Sequence, residues 1–457
     1  MSPMDLPQSI RFSPWQLWRY FREPMAMHNW LRERYGEIVS LHLEGQDYVA
    51  VLTAEGARQV FSADPAGYEA FWKTDIAGLS GPGSLWVLDG AKHRRERQLL
   101  SPAFHTRHFH AYGEIIRQLT RCHLDPWQPG QTVRAIDTTL AISRDVILHF
   151  LFGGQEDELM REGSVVLEAL WRTVHPLIVF FPKLRRRWFP IWRRYARARA
   201  EMYAWLDRLL VARRARGGET DDVLGRLLAA RGEDGNPMPD AAIRDELSTI
   251  LLAGHETTAT ALAWALYELG RHPAAVQKLR AELESPGPVA DPGSIVTLPY
   301  LSAVCNEAMR LHTLVPEVPR VVAAPLELFG HTLPVGSSVV VSAMSVHHDP
   351  ELYPQPDQFI PERFLRRSYT PSEFLPFGGG HRRCLGAGIS DYELRTALAE
   401  IITHWEFEAA AVEREIRHDI AMGPKYGVPL RIKARRQPGP KVEPALSAQP
   451  ERAPALV

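Results

Sequence analysis

One stretch of this sequence sets the size and the centre of any fold the chain can adopt. From Asp240 to Gly270 the residues keep helical apolar spacing; Asp240 is placed to cap the start, and Gly270 with Pro273 to end it. That makes roughly 30 residues, a rod of about 45 Å at 1.5 Å per residue. A helix that long crosses the whole molecule, so the rest must be built around it. Its middle reads Leu251-Leu252-Ala253-Gly254-His255-Glu256-Thr257-Thr258-Ala259-Thr260. A glycine and a polar patch inside an apolar helix cost stability, and such conflicts are expected where a site has a job. The bland alternative is a kink whose hydroxyls bond to the preceding turn.

Apolar spacing of helical kind runs from Ala91 to about Leu283. Ile38–Leu43 and Tyr48–Leu52 read as a hairpin around Glu44–Asp47, and Val318–Val341 as a second β-rich stretch. Residues 435–457, rich in Pro and Ala, read as a disordered tail after one domain of residues 1–434. The 457 residues can bury a large core, and a formal net charge of -1 argues against nucleic acid as partner. Cys122, Cys305 and Cys384 lie far apart, which excludes a disulfide framework and a zinc ribbon and fits a reducing cytoplasm. No segment approaches the ~20 apolar residues of a transmembrane anchor. Phe12–Trp30 and Lys183–Arg199 combine aromatics with basic residues; a helix packed on the body and a solvated face are the preferred readings.

The sharpest motif is Phe377-Gly378-Gly379-Gly380-His381-Arg382-Arg383-Cys384-Leu385-Gly386. Glycines let a backbone approach a flat ligand and take positive φ. A helical pattern follows from Asp391 to Thr403, so Cys384 stands just before a helix N-terminus, where backbone N–H groups stabilise a thiolate. An incidental buried cysteine is the usual reading of a lone Cys, but the full spacing Phe-x-x-Gly-x-Arg-x-Cys-x-Gly overturns it. His381 beside it lacks the further ligands that zinc needs.

This pattern resembles the signature of the cytochrome P450 family, and the resemblance runs from about Pro24 to Ile432. It implies a mainly α fold with a smaller β-rich region, and haem b (iron protoporphyrin IX) between the long helix and the Cys loop. Cys384 would be the axial ligand of the haem iron. Ala253 and Gly254 would lie near the haem. Thr257 would hydrogen-bond the dioxygen, and Glu256 would belong to the proton path; a hydroxyl both accepts and donates. Phe377 opens the Cys loop that faces the cofactor. His93 and Arg97, four apart on one helical face, with Arg320 and Arg382, would bind the two propionates, which suits the fork of arginine. A solvated surface charge is the alternative for each arginine. Glu307 and Arg310, three apart, with Arg363 in Pro361-Glu362-Arg363-Phe364, would form a buried ion network behind the loop. Taken alone, that spacing is usually a surface pair.

The implied activity is a monooxygenase that inserts one atom of O2 into a lipophilic small molecule, by hydroxylation or epoxidation of a terpenoid, fatty acid or polyketide. Electrons would come from NAD(P)H through a ferredoxin or flavodoxin and its reductase, steered to Arg94, Arg95 and Arg383. The chain would act as a cytoplasmic monomer. The rivals are a haem-thiolate peroxygenase or isomerase, for which the intact Glu256-Thr257 pair has no use, and a haem-binding sensor without catalysis. NADPH consumption coupled to product separates them. The resemblance places pocket walls at 68–87, 167–189, 249–253 and 315–318, supplying Phe71, Trp72, Leu85, Trp86, Leu170, Trp171, Ile178, Phe180, Phe181, Leu252 and Val315. Leu167 to Trp192 would be a mobile lid, and Glu317 either an acidic tether in the pocket or a solvent-facing group.

Overall fold

In a computed structural model of the chain, the described residues are 8–436 apart from 44–45, 72, 105–108, 154–156, 218–221, 232–234, 286–290 and 419. In chain order the helices among them begin with α1 (Pro14–Arg22), α2 (Pro24–Tyr35), α3 (Ala54–Ser62), α4 (Lys73–Ser80), α5 (Gly90–Leu100) and α6 (Phe109–Leu124). The helical body continues through α7 (Ala135–Phe152), α8 (Asp157–Trp171), α9 (Pro176–Phe180), α10 (Pro190–Arg216), α11 (Val223–Ala229) and α12 (Asp240–Arg271). It closes with α13 (Pro273–Leu283), α14 (Pro292–Ile295), α15 (Pro299–Leu311), α16 (Ala343–His347), α17 (Arg363–Arg366) and α18 (Ala387–His404).

The expected rod is α12, which has 32 residues and so spans about 48 Å. Its ends differ from expectation. Pro239 is the N-cap, Asp240 is already the first helical residue, and Gly270 lies inside the helix, which stops at His272. Pro273 then opens α13, as the bias of a pre-proline residue away from α geometry requires. Apart from a partly accessible patch between Ile250 and Thr257, the middle and end of α12 are buried, packed among α7, α10, α15 and α18. The largest apolar core lies along this bundle and holds Trp205 and Trp264.

The smaller β region is a six-stranded sheet in the order β1 (Ser9–Arg11), β2 (Ile38–Leu43), β3 (Gln46–Val51), β9 (Ser338–Ser342), β6 (Glu317–Val322) and β4 (Tyr68–Glu69). The hairpin β2–β3 forms with Ile38 opposite Val51, as its alternation predicts. Central β9 is covered on both faces and reads Ser-Val-Val-Val-Ser. Three smaller sheets pair β7 (Leu326–Leu328) with β8 (His331–Leu333), β11 (Glu415–Arg417) with β12 (Met422–Pro424), and β13 (Pro429–Arg435) with both β5 (Thr132–Arg134) and β10 (Trp405–Ala409). Arg435 ends β13 and Arg436 bonds to Glu284, so those two residues belong to the folded body. The remainder of the expected tail, 437–457, lies outside the described residues.

At the N-terminal side the packing expected for Phe12–Trp30 is divided. Met27, His28 and Leu31 of α2 are buried, whereas no residue of α1 is, and Trp15 and Trp18 are exposed. No helix among the described residues is long and apolar enough to cross a membrane.

His312, just past α15, fastens the β11–β12 hairpin to α12. Its Nε2 bonds to Glu268 at 2.9 Å, its Nδ1 to Glu415 at 2.5 Å, and its ring stacks on Trp264 with centroids 3.9 Å apart. Burial opposes a charge here, but the hydrogen bonds and charges of the two carboxylates prevail and push its pKa up to about 9. A folded-state pKa raised above the unfolded 6.5 adds stability that is complete below pH 6.5 and is lost as pH rises through about 9. His312→Phe, which keeps the stack and removes the charge, is expected to cost roughly 3 kcal/mol at pH 6.5 and much less at pH 10. Thermal melts of both proteins across that range check this; equal pH dependence would contradict the linkage.

Candidate active site

The Cys loop is shaped by its glycines, although in part for a reason the sequence does not show. Gly378 and Gly380 have φ of 64° and 67°. A Cβ on Gly379 would lie 2.3 Å from the Phe61 ring, and one on Gly380 2.9 Å from the Phe61 carbonyl. Two of the three glycines therefore let the loop press on α3. The loop closes with the Cys384 N–H donating to the Phe377 carbonyl at 3.0 Å, and Arg383 stacks its guanidinium over the Phe377 ring. Gly386 is the N-cap of α18, so the helix starts four residues earlier than expected.

Cys384 has an accessible side chain, yet protein crowds it enough that desolvation is the largest influence on its thiol. Accessible and desolvated together describe a sulfur facing an internal hollow. Burial pushes the thiol pKa up, against the backbone N–H of Gly386 and the charges of Arg383 and Arg97. The helix start alone thus does not make the thiolate the sequence suggested; a cation at the sulfur would complete the field.

Beside it stands a cluster of basic groups. His93 and Arg97 lie on α5, Arg320 on β6, and His381 and Arg382 in the loop. The His381 ring stacks on Tyr68 at 6.4 Å and meets His93 edge-on at 5.8 Å. Arg382 donates to Asp89 and to the Leu88 carbonyl, Arg320 to the Gly379 carbonyl, and Arg97 to the Arg383 carbonyl at 2.7 Å. Burial, then Arg382, His381 and Arg97, push His93 down to about 4; burial, then Arg382, push Arg320 down to about 10. These groups repel one another. Among the described residues, buried Arg382 Nε and Tyr68 Oη have no hydrogen-bond partner. A pair of carboxylates would satisfy both the field and the orphaned atoms, so the residues present fit the propionates of a haem. Tyr68 escaped the sequence reading, since a tyrosine in a two-residue strand carries no signal.

Across α12, Ala253, Glu256 and Thr257 are partly accessible, whereas His255 and Thr258 are buried. Spacing of three and four places the accessible residues on one face. Thr257 donates its hydroxyl to the Ala253 carbonyl at 2.8 Å, which leaves its oxygen to accept. Gly254 is partly accessible too, and a Cβ there would meet Ile147 of α7 at 3.1 Å, so its smallness also serves helix packing. The Thr258 hydroxyl bonds to Ser390 of α18 at 2.9 Å, which ties this part of α12 to the helix that follows Cys384.

Behind the loop, Glu307 and Arg310 are fully buried and joined by two bonds of 2.8 and 2.9 Å. Arg363 Nε donates to Glu307 at 3.0 Å and the Ile360 N–H at 2.9 Å. The link to the loop runs through His347, absent from the sequence reading. Arg310 donates to the His347 carbonyl at 2.8 Å, and the His347 ring accepts the Leu375 N–H at 2.8 Å, two residues before Phe377. Burial first, then His348 and Arg310, hold this imidazole far below its ordinary pKa, so it stays neutral and can accept.

Two of the expected pocket walls are core residues instead. Leu170 and Ile178 are wholly inside the core, and Trp72 lies outside the described residues. Phe71 packs on Tyr48 at 6.2 Å. Glu317 neither lines a pocket as a free acid nor faces solvent. Arg417 donates to it at 2.7 and 3.0 Å, Tyr20 at 2.8 Å, and His28 sits 3.0 Å away. Burial would raise its pKa, but Arg417 and His28 hold it well below the carboxylate range. In the basic run, Lys183, Arg186, Arg187, Trp188, Arg193 and Arg194 are exposed, as expected of a solvated face.

Glu307→Ala would strand two buried guanidinium groups. A loss of roughly 3–5 kcal/mol is expected, with weaker haem retention. Urea unfolding and the haem content of purified protein measure it; an unchanged unfolding midpoint would remove Glu307 from the scaffold.

A family model described as Cytochrome P450 matches residues 7–428. A Mycobacterium tuberculosis protein that carries the name cytochrome P450 135A1 is 34% identical over 446 residues, covering 95% of this chain and 96% of its own length. Another from that organism, named cytochrome P450 137, is 34% identical over 89% of this chain and 85% of its own. Among solved structures, cyanobacterial CYP120A1 with retinoic acid bound superposes with a TM-score of 0.84 at 24% identity, covering 95% of this chain and 100% of that one. The haem domain of cytochrome P450DA gives 0.83 at 23% identity, over 95% and 99% of the two chains.

Proposed function

Because the chain belongs to the cytochrome P450 family and is a haem-dependent monooxygenase, we propose that it hydroxylates or epoxidises a bulky lipophilic molecule of the terpenoid, fatty acid or polyketide class. The observation that carries the site assignment is the desolvated, accessible Cys384 beside the basic cluster. In this reading Cys384 ligates the iron, and His93, Arg97, Arg320 and Arg382 hold the propionates, with Tyr68 as a further donor. Phe377 and Ala253 border the cofactor. Gly254 contributes by letting α12 lie close on α7.

The haem, when bound, supplies the activation of O2. One oxygen atom goes to substrate and the other to water, which requires two electrons and two protons. Thr257 orients the dioxygen side with an oxygen free to accept, and its hydrogen bond to Ala253 fixes that orientation. Glu256, partly accessible, exchanges protons with the surroundings and passes them along the same face. The Thr258–Ser390 bond holds this face in register with α18. Electrons come from NAD(P)H through a separate ferredoxin or flavodoxin and its reductase. Exposed Arg94, Arg95 and Arg383 give an acidic donor a cationic face to approach. For the substrate, exposed Trp86 and partly accessible Phe180, Phe181 and Val315 offer apolar surface, and its burial at about 25 cal/mol per Å² provides the affinity.

Two experiments test these assignments. Reduced protein with CO is expected to show the strongly red-shifted Soret band of thiolate ligation, and Cys384→Ser to lose it; retention of the band by the variant would exclude Cys384 as ligand. Lipophilic panels are expected to shift the haem spin state and, with a surrogate redox system, to couple NADPH to oxygenated product. Thr257→Ala should keep haem and ligand binding but send about ten times more of the electrons to peroxide, within the usual reach of a proton-transfer group. Unchanged coupling would remove Thr257 from the mechanism, and spin shifts with small polar molecules alone would overturn the substrate class.

A further inference from the structure

α8 packs on α7 and α10, and at its last residue Trp171 reaches across to α12. There the indole meets the ring of His255, centroids 5.7 Å apart and planes inclined at 52°. His255 stands between Gly254 and Glu256, on the buried side of the segment whose other side carries Ala253 and Thr257. Its Nε2 is 2.9 Å from the Leu140 carbonyl of α7. A carbonyl only accepts, so Nε2 carries the hydrogen. Burial holds the ring neutral, with its pKa pushed down to about 4. Nδ1 is therefore a bare acceptor, and the indole Nε1–H is a donor and nothing else. Among the described residues both atoms are buried without a hydrogen-bond partner. A buried polar group without a partner is unfavourable, and these two are complementary, on rings in contact.

Past Trp171 the helix gives way to a tight turn and then to α9: Thr173 N–H bonds to the Leu170 carbonyl at 2.9 Å and Val174 N–H to the Trp171 carbonyl at 3.1 Å. Trp171 thus sits where the segment leading to Phe180 and Phe181 is anchored to the body.

We propose that Trp171 and His255 are the two halves of a latch: when a ligand fills the pocket, α8 settles toward α12, Trp171 Nε1–H bonds to His255 Nδ1, and the bond positions the Ala253–Thr257 face. Trp171 is then a positioning residue for the reaction. The proposal rests on the reading of that face as the one that handles oxygen and protons.

The test uses haem-loaded protein and 4-phenylimidazole, whose binding is read independently from the haem spectrum. Ultraviolet resonance Raman difference spectra report hydrogen bonding at indole N–H. Ligand addition is expected to shift one tryptophan toward a stronger hydrogen bond. Trp171→Phe, which keeps a ring without a donor, should abolish that shift. His255→Gln, which keeps an amide N–H for Leu140 but leaves nothing at the Nδ1 position, should abolish it as well. Each variant should bind the ligand about 5-fold more weakly, and the double variant no more weakly than either, since one net hydrogen bond is lost in all three. A shift that survives in His255→Gln, or losses that multiply in the double variant, overturns the latch. If the shift behaves as proposed while Thr257→Ala leaves coupling intact, the latch stands and the oxygen-handling reading falls.

Discussion

A carboxylate held in the dry interior by two guanidinium groups is the contact on which this structure leans. Glu307 accepts from Arg310, Arg363 and the Ile360 N–H, so each of its oxygens is used. Desolvating three charges is unfavourable, and hydrophobic replacements of equal volume often do as well for stability alone. What the network supplies is position. Arg310 carries it to the His347 carbonyl, His347 to the Leu375 N–H, and Leu375 leads into the Cys loop. Tyr353 lies under both arginines and closes the remaining side. A loop with so many glycines has no stiffness of its own. Its stiffness is borrowed from this ion cluster at one end and from Phe61 along its length.

The basic cluster inverts that logic. His93, Arg97, Arg320, His381 and Arg382 are crowded without enough anionic partners, and the field they make depresses one another's affinity for protons. Two carboxylates placed there, as in the proposed haem site, would relieve the repulsion. Haem binding and folding are therefore linked, since a group that binds only the native state adds to its stability by mass action. At Cys384 burial and the helix start pull against each other, and a cation at the sulfur would tip the balance toward the thiolate.

Much of this was legible in one dimension. The Cys loop, the α12 patch and Glu307–Arg310 are local patterns, in which neighbours in sequence remain neighbours in space. The contacts that complete them are not local. Tyr68, His347 and Phe61 act across long stretches of chain, and none belongs to a pattern that periodicity can reveal. Leu170 and Ile178 show a second limit: a large apolar side chain looks the same whether it lines a pocket or fills the core. Glu317 shows a third, because its character is set by Arg417, a hundred residues away. The glycines of the loop were read as permitting close approach, and for Gly379 and Gly380 one approaching surface is the chain's own Phe61.

Arg417 also lies over the rings of both Tyr20 and Phe180, and Phe180 touches Phe21 at 5.5 Å. Swinging Phe180 outward would break that cation–π contact and that aromatic pair, among its other contacts. The Arg417–Glu317 pair would not be disturbed, so no charge would be left bare. Were that segment to move aside for a ligand, it would turn as a door on a fixed jamb. A guest's apparent affinity is discounted by whatever share of the doors must stand open to admit it. Trimming the hinge aromatics on either side of the jamb would alter how fast guests pass before it altered which guests fit.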